Sequence, residues 1–131
     1  MVNRALRLRE EAEVRQARAR GKAYADGPLV ARVLANDTDP KRNRYAVIAG
    51  KRVGKAVQRN RCKRLVREAI RQLHPRLLPG YDVVIIVRGT VEELTGLDVA
   101  LDSMERIVTR AQLIRPEIVD VSSSGPEPVG E

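Results

Sequence analysis

GKRVGKAVQRNRCKRLVREAIRQL, Gly50 to Leu73, reads as a basic loop running into one amphipathic helix from about Ala56 to Leu73. On a helical wheel Cys62, Leu65, Val66, Ala69, Ile70 and Leu73 fall within an arc of about 140°, a face that must be buried against something. Arg59, Lys63, Arg67 and Arg71 recur at i,i+4 along one flank, with Arg61 and Arg64 further round the polar side. Pro75 and Pro79-Gly80 end the helix and turn the chain,.

Working outward, the segments on either side supply a sheet for that helix to lie on. Asp82 to Val87 is a continuous aliphatic run, the pattern of a strand covered on both faces,. Upstream, Leu29 to Ala35 alternates, with Leu29, Ala31, Val33 and Ala35 on one face and Val30, Arg32 and Leu34 on the other,. Lys22 to Asp26 reads as a short edge strand broken by Gly27-Pro28, and Asn36 to Asn43 as a hairpin loop returning into a strand at Arg44 to Ala49. Residues 9–20 are nearly all helix formers with a thin apolar stripe, so that helix packs weakly or lines a groove, and Gly21 stops it,. Thr95 is placed to cap a last helix with Asp98 at the capping-box position and Leu97, Leu101, Met104, Val108 and Ala111 as its buried stripe,. The order αβββαβα predicts an α+β sandwich, a small central sheet with helices packed on it. Residues 1–115 form its single domain, and 116–131 read as a disordered acidic tail,.

Length and composition agree with this. The chain has 131 residues, 43% hydrophobic, with three Tyr and neither Phe nor Trp, so its core is aliphatic. No apolar run approaches the ~20 residues that span a bilayer, and no apolar signal core opens the chain. Cys62 is the lone cysteine, which excludes an internal disulfide and leaves no Cys/His set for zinc,. These features describe a cytoplasmic domain with no metal site and no membrane partner. The net charge of +8 is unevenly spread. Residues 41–76 hold 13 basic residues against Glu68 alone, net +12, whereas residues 77–131 hold 4 basic and 10 acidic residues, net −6. Such a block repels itself unless a polyanion or an acidic surface compensates. An anionic membrane is the weaker candidate, because the apolar arc lacks Trp or Phe anchors. Nucleic acid is favoured.

No constellation supports catalysis by protein side chains. A phosphate-binding loop of the form G-x-x-x-x-G-K-[ST] would need glycine at Ala49 and a hydroxyl at Ala56,. His74, at a helix end beside Pro75, reads as a cap on terminal carbonyls, and Cys62 as a buried inert thiol. The basic helix stands apart: Asn60 lies between Arg59 and Arg61 near the first turn, where free N–H groups favour phosphate, and arginine forks suit phosphate oxygens.

Lys51 through Glu68 closely resembles the signature of the bacterial ribonuclease P protein component, K-K-x-G-x-A-V-x-R-N-R-x-K-R-x-x-R-E/Q, often called the RNR motif. A dozen constrained positions in register make the likeness specific, and the element order fits from about Leu8 to Leu113. The resemblance implies the protein subunit of an enzyme that removes the 5′ leader of precursor tRNA. Chemistry is then carried by Mg²⁺ ions bound to a large catalytic RNA, and no protein residue is catalytic. It implies RNA contacts from Arg59, Asn60, Arg61, Lys63, Arg64 and Arg67, with Lys51, Arg52 and Lys55 on the adjoining loop. It also implies a cleft for the single-stranded leader between the first helix and the sheet, and a left-handed β-α-β crossover. The partners are then ribonuclease P RNA and the precursor's leader, with no obligate protein partner.

One departure matters. Where the family commonly places aromatics in that cleft, this chain has Val14, Arg18 and Arg32. Stacking on aromatics is worth ~1–3 kcal/mol per base, whereas Arg offers a guanidinium plane and a phosphate contact. Leader binding is therefore expected to be more electrostatic and more salt-sensitive, with Tyr24 and Tyr45 as the upstream aromatics able to compensate. The alternative is a non-enzymatic RNA-binding module, such as a ribosomal or assembly protein.

Overall fold

The computed structural model describes residues 7–90 and 92–115. Three helices, α1 (Glu11–Arg20), α2 (Ala56–Leu73) and α3 (Leu97–Arg110), pack on four strands: β1 (Lys22–Asp26), β2 (Leu29–Ala35), β3 (Arg44–Ala49) and β4 (Tyr81–Val87). The expected tail, 116–131, lies outside the described residues, so the domain boundary at 115 remains an expectation.

The sheet runs β1-β2-β4-β3, which corrects the hairpin expected across Asn36 to Asn43. β2 pairs with β1 and β4, both antiparallel, while β3 pairs with β4 in parallel. The aliphatic β4 takes the central position, where both its edges and both its faces are covered. Local alternation identified β3 as a strand but carries no information about a partner that arrives some 35 residues later.

The register also sets the hand of the β3–α2–β4 unit. Asn36 N–H donates to the Gly80 carbonyl (2.8 Å) and Arg88 N–H to the Pro28 carbonyl (2.9 Å), so even-numbered residues of this strand direct N–H and C=O toward β2. Odd-numbered ones face β3, and their side chains, Val83, Ile85 and Val87, enter the cluster that holds α2. For L-residues in an upward strand, a side chain toward the viewer puts its own N–H and C=O on the right. Viewed from α2, β3 therefore lies right of β4, and the path from β3 over α2 to β4 turns left-handed. This is the uncommon hand that the resemblance implies.

The two sheet faces differ in depth. On the α2/α3 face Cys62, Val66, Ala69, Ile70 and Leu73 meet Leu29, Ala31, Val83, Ile85 and Val87 in one continuous core. On the other face Leu8, Ala17 and Val84 are buried, with Val14, Leu34, Ala46, Ile48 and Ile86 partly covered. Gly21 is obligatory here for a reason other than a left-handed cap. Its φ is −70°, but a Cβ would lie 2.4 Å from the Ala17 carbonyl and 3.1 Å from Val33 N. The close approach seats the end of α1 on β2. The opposite part of α1 is held by Arg44, whose guanidinium donates to Asp82 (2.9 Å to each oxygen) and to Glu13 (3.2 and 3.3 Å).

Two helix expectations need correction. Thr95 does not cap α3: Gly96 holds the cap position without a side-chain bond, and Thr95 gives its carbonyl to Arg61 (2.9 Å). The buried stripe of α3 is Ala100, Ser103, Met104, Ile107 and Val108, rotated from the expected one, with Leu97, Leu101 and Ala111 at its margin. Ser103, a polar residue that hydropathy places outside, is buried because its hydroxyl donates to the Asp26 carbonyl (2.7 Å).

Candidate nucleic-acid interface

The loop and first turn of α2 concentrate positive charge where the helix dipole is already positive. No acid sits in the first turn, so nothing in the helix offsets Lys55 and Arg59 at its N-terminus. The turn holds by other means: Lys55 N–H donates to Gln58 Oε1 (2.6 Å), and Arg59 Nη1 to the Gly54 carbonyl (3.1 Å). Gly54 has φ 149°, and a Cβ there would lie 2.6 Å from Gln58 Oε1, so only glycine permits this turn,.

The expected RNA-binding residues separate by position. Lys51, Arg52, Lys55, Asn60, Arg61 and Arg64 are exposed, while Arg59, Lys63 and Arg67 are half-buried on the flank toward β3. Arg59 and Arg61 each spend a donor on a backbone carbonyl, which orients the side chain and leaves its remaining N–H groups outward,. Arg71, the last rung of the sequence ladder, is turned onto Glu68. Its fork, with help from Gln72, holds that carboxyl down to about 2. Lys51, Arg52, Lys63, Arg64 and Arg67 make no ion pair with any described carboxylate. Such a surface suits a polyanion.

Val14, Arg18 and Arg32, far apart in sequence, line one groove of about 580 Å³ with Glu11, Arg15, Ala19 and Ile86. Its floor is the thin sheet face beneath α1. Arg32 Nη1 donates to the Gly21 carbonyl (3.1 Å), fixing a half-buried cation at the C-terminal end of α1,. Arg18 is exposed beside it. The compensation expected from Tyr24 and Tyr45 does not occur, because both pack on the α2/α3 face, opposite the groove. Tyr45 is buried, and its hydroxyl meets His74 Nδ1 at 2.8 Å. That contact also corrects the reading of His74: its backbone N–H reaches the Ile70 carbonyl, but its ring bonds Tyr45 and not a terminal carbonyl; burial, and then Arg115, pull its pKa down. Cys62 is buried as expected, and burial pushes its thiol up.

Sequence reasoning missed Arg7 and Arg9. They precede α1, where Arg7 bridges to Tyr45 and Leu8 N–H donates to the Tyr45 carbonyl (2.7 Å), running the segment along the free edge of β3. The alternation Arg7-Leu8-Arg9 about a buried Leu8 was the available signal.

A left-handed β-α-β unit bearing a basic helix on one sheet face and an arginine-lined groove on the other defines an RNA-binding α+β domain. The sequence pattern of the Ribonuclease P family matches residues 2–112. The chain is 33% identical over 129 residues to the ribonuclease P protein component of Roseiflexus sp. strain RS-1, covering 98% of this chain and 100% of that one. It is 36% identical over 126 residues to that of Chloroflexus aggregans, covering 95% and 92%. Among solved structures, the Staphylococcus aureus RNase P protein superposes with TM-score 0.74 at 24% identity over 86% of this chain and 100% of that one. The Thermotoga maritima RNase P protein gives 0.69 at 25% identity over 79% and 96%. The chain belongs to the ribonuclease P protein family. It is the protein subunit of an endoribonuclease that works as a ribonucleoprotein, in which the RNA carries the catalysis. Among the described residues no three His, Cys, Asp or Glu side chains group where they could hold a metal ion, and no helix is long and apolar enough to cross a membrane.

Proposed function

We propose that this chain docks on ribonuclease P RNA through α2 and its preceding loop and holds the 5′ leader of precursor tRNA in the α1 groove. The docking residues are Lys51, Arg52, Lys55, Arg59, Asn60, Arg61, Lys63, Arg64 and Arg67; Val14, Arg18 and Arg32 serve the leader. One observation carries the reading: α2 buries its apolar arc, Leu65 only in part, and presents a basic face with almost no acid to neutralise it. The Mg²⁺ ions that supply the chemistry are held mainly by the RNA, and the protein contributes binding and orientation, in the cytoplasm. Without aromatics in the groove, grip on the leader comes from Arg18, Arg32 and the apolar rim of Val14 and Ile86.

Reconstitution tests this. Purified protein is added to bacterial ribonuclease P RNA and precursor tRNA at low Mg²⁺, and stimulated 5′ cleavage is expected. Binding without stimulation would favour a plain RNA-binding module, and cleavage without added RNA would overturn both readings.

A further inference from the structure

We propose that Arg7 and Arg67, with Arg9 at the rim, seat one phosphate group at the free edge of β3, supplied by the backbone of the partner RNA. The place is a cavity of about 180 Å³ whose lining, among the described residues, includes these three arginines and no acidic residue. Its walls come from both sheet faces: Ala46 belongs to the α1 side, and Tyr45, Val47 and Ile70 to the α2 side. The cavity thus lies at the seam between docking helix and leader groove.

Two details ask for an anion there. Arg7 Nε is buried without a hydrogen-bond partner. A buried donor left unpaired is destabilising, more so when charged, so a partner is to be sought for it. Arg67 faces the same space, and burial followed by the charge of Arg7 lowers its pKa. Two guanidinium groups that repel across a small cavity are satisfied together by a tetrahedral oxyanion, whose oxygens can accept from both forks. The segment is not loose: Leu8 is buried and its N–H is bonded to β3, so Arg7 is delivered by fixed backbone. Arg67 stands one helical turn beyond Lys63 and two beyond Arg59, so a bound backbone could continue from that flank around the β3 edge toward α1. The seat rests on the docking reading for the source of its phosphate, not for its chemistry.

The test uses the full chain and inorganic phosphate at millimolar concentration, with ionic strength held by KCl. Phosphate should raise the thermal midpoint of the wild type saturably, Arg7→Gln should lose the increment, and Arg7→Lys should keep part of it. With ribonuclease P RNA, Arg7→Gln should weaken association roughly tenfold and reduce the log–log salt slope by about one. If Arg7→Gln fails to fold, Arg67→Gln carries the same phosphate test. An increment unchanged by both Gln substitutions, or none in the wild type, overturns the seat. An increment lost in Arg7→Gln with RNA affinity and slope unchanged overturns the RNA source and assigns the seat to a free anion. If the wild type responds to phosphate yet does not bind the RNA, the docking reading fails while the anion site stands.

Discussion

The two faces of the sheet divide the labour of this chain. Toward α2 and α3 the apolar residues are deep and continuous, from Leu29 and Ile85 across to Ile70 and Ile107. Toward α1, among the described residues, only Leu8, Ala17 and Val84 are buried, and the remaining space is an open groove with arginines at its rim. Folding free energy is concentrated on one face, which leaves the other free to stay shallow and receive a ligand. Both faces lead to surfaces suited to RNA, by different routes. The deep face stabilises a helix rigid enough to display cations on its outer side, and the shallow face exposes a groove.

The largest test of that division is truncation of the deep core. Ile85→Ala, at a fully buried central position, should cost about 2–5 kcal/mol in urea unfolding. Val84→Ala, its equally buried neighbour pointing to α1, should cost less, since fewer atoms are removed and α1 can settle; equal costs would break the comparison. Next comes the docking face. Lys63→Ala with Arg64→Ala should leave the unfolding midpoint nearly unchanged while weakening association with ribonuclease P RNA about 10–100-fold, with a salt slope smaller by about two. Arg61 is a less clean choice than its exposure implies, because it also ties α2 to the Thr95 carbonyl. In the groove, Arg18→Phe should restore stacking, tightening leader binding by about 1–3 kcal/mol and flattening its salt dependence. No gain in a filter-binding comparison of long and short leaders would show that the groove does not face the leader bases.

The smallest effect concerns His74. Burial lowers its folded-state pKa below the unfolded value of about 6.5,. The unfolded chain therefore binds the extra proton more readily, and stability is lost as pH falls from about 6.5 toward the folded pKa. In the neutral tautomer with Nδ1 bare the ring can also accept from the Tyr45 hydroxyl, 2.8 Å away, which the imidazolium cannot do,. The stability advantage of wild type over His74→Gln, measured by urea midpoints, should shrink between pH 7.5 and pH 5; a constant gap would show that the imidazole does not titrate across that range.

Much of this was legible from local pattern. The α2 arc, the doubly covered β4 and the edge strand β1 each announce themselves within a few residues, because burial imposes its period on the sequence directly. What failed was non-local. The insertion of β4 between β2 and β3 depends on which strand is most apolar over the whole sheet, not on the Asn36 to Asn43 loop. The hydroxyl of Tyr45 found His74 across the core, and no spacing encodes that. In the groove, Val14, Arg18 and Arg32 were named from likeness to a family, and the fold brings them together. The alternation Arg7-Leu8-Arg9 is too short to stand out as a strand by itself, and it is the β3 edge that orders the segment.

The most direct test of two separable RNA surfaces is a titration of the reconstituted holoenzyme. Its affinities for precursor tRNA with a long leader and for mature tRNA are measured from low to moderate salt, for wild type and for Arg18→Ala with Arg32→Ala. The double substitution should leave assembly with ribonuclease P RNA and binding of mature tRNA intact. The advantage of the precursor should shrink, and its salt slope should fall by roughly 0.7 for each leader phosphate no longer neutralised. An unchanged precursor advantage and slope, or an equal loss for both tRNAs, would contradict the assignment of the groove to the leader.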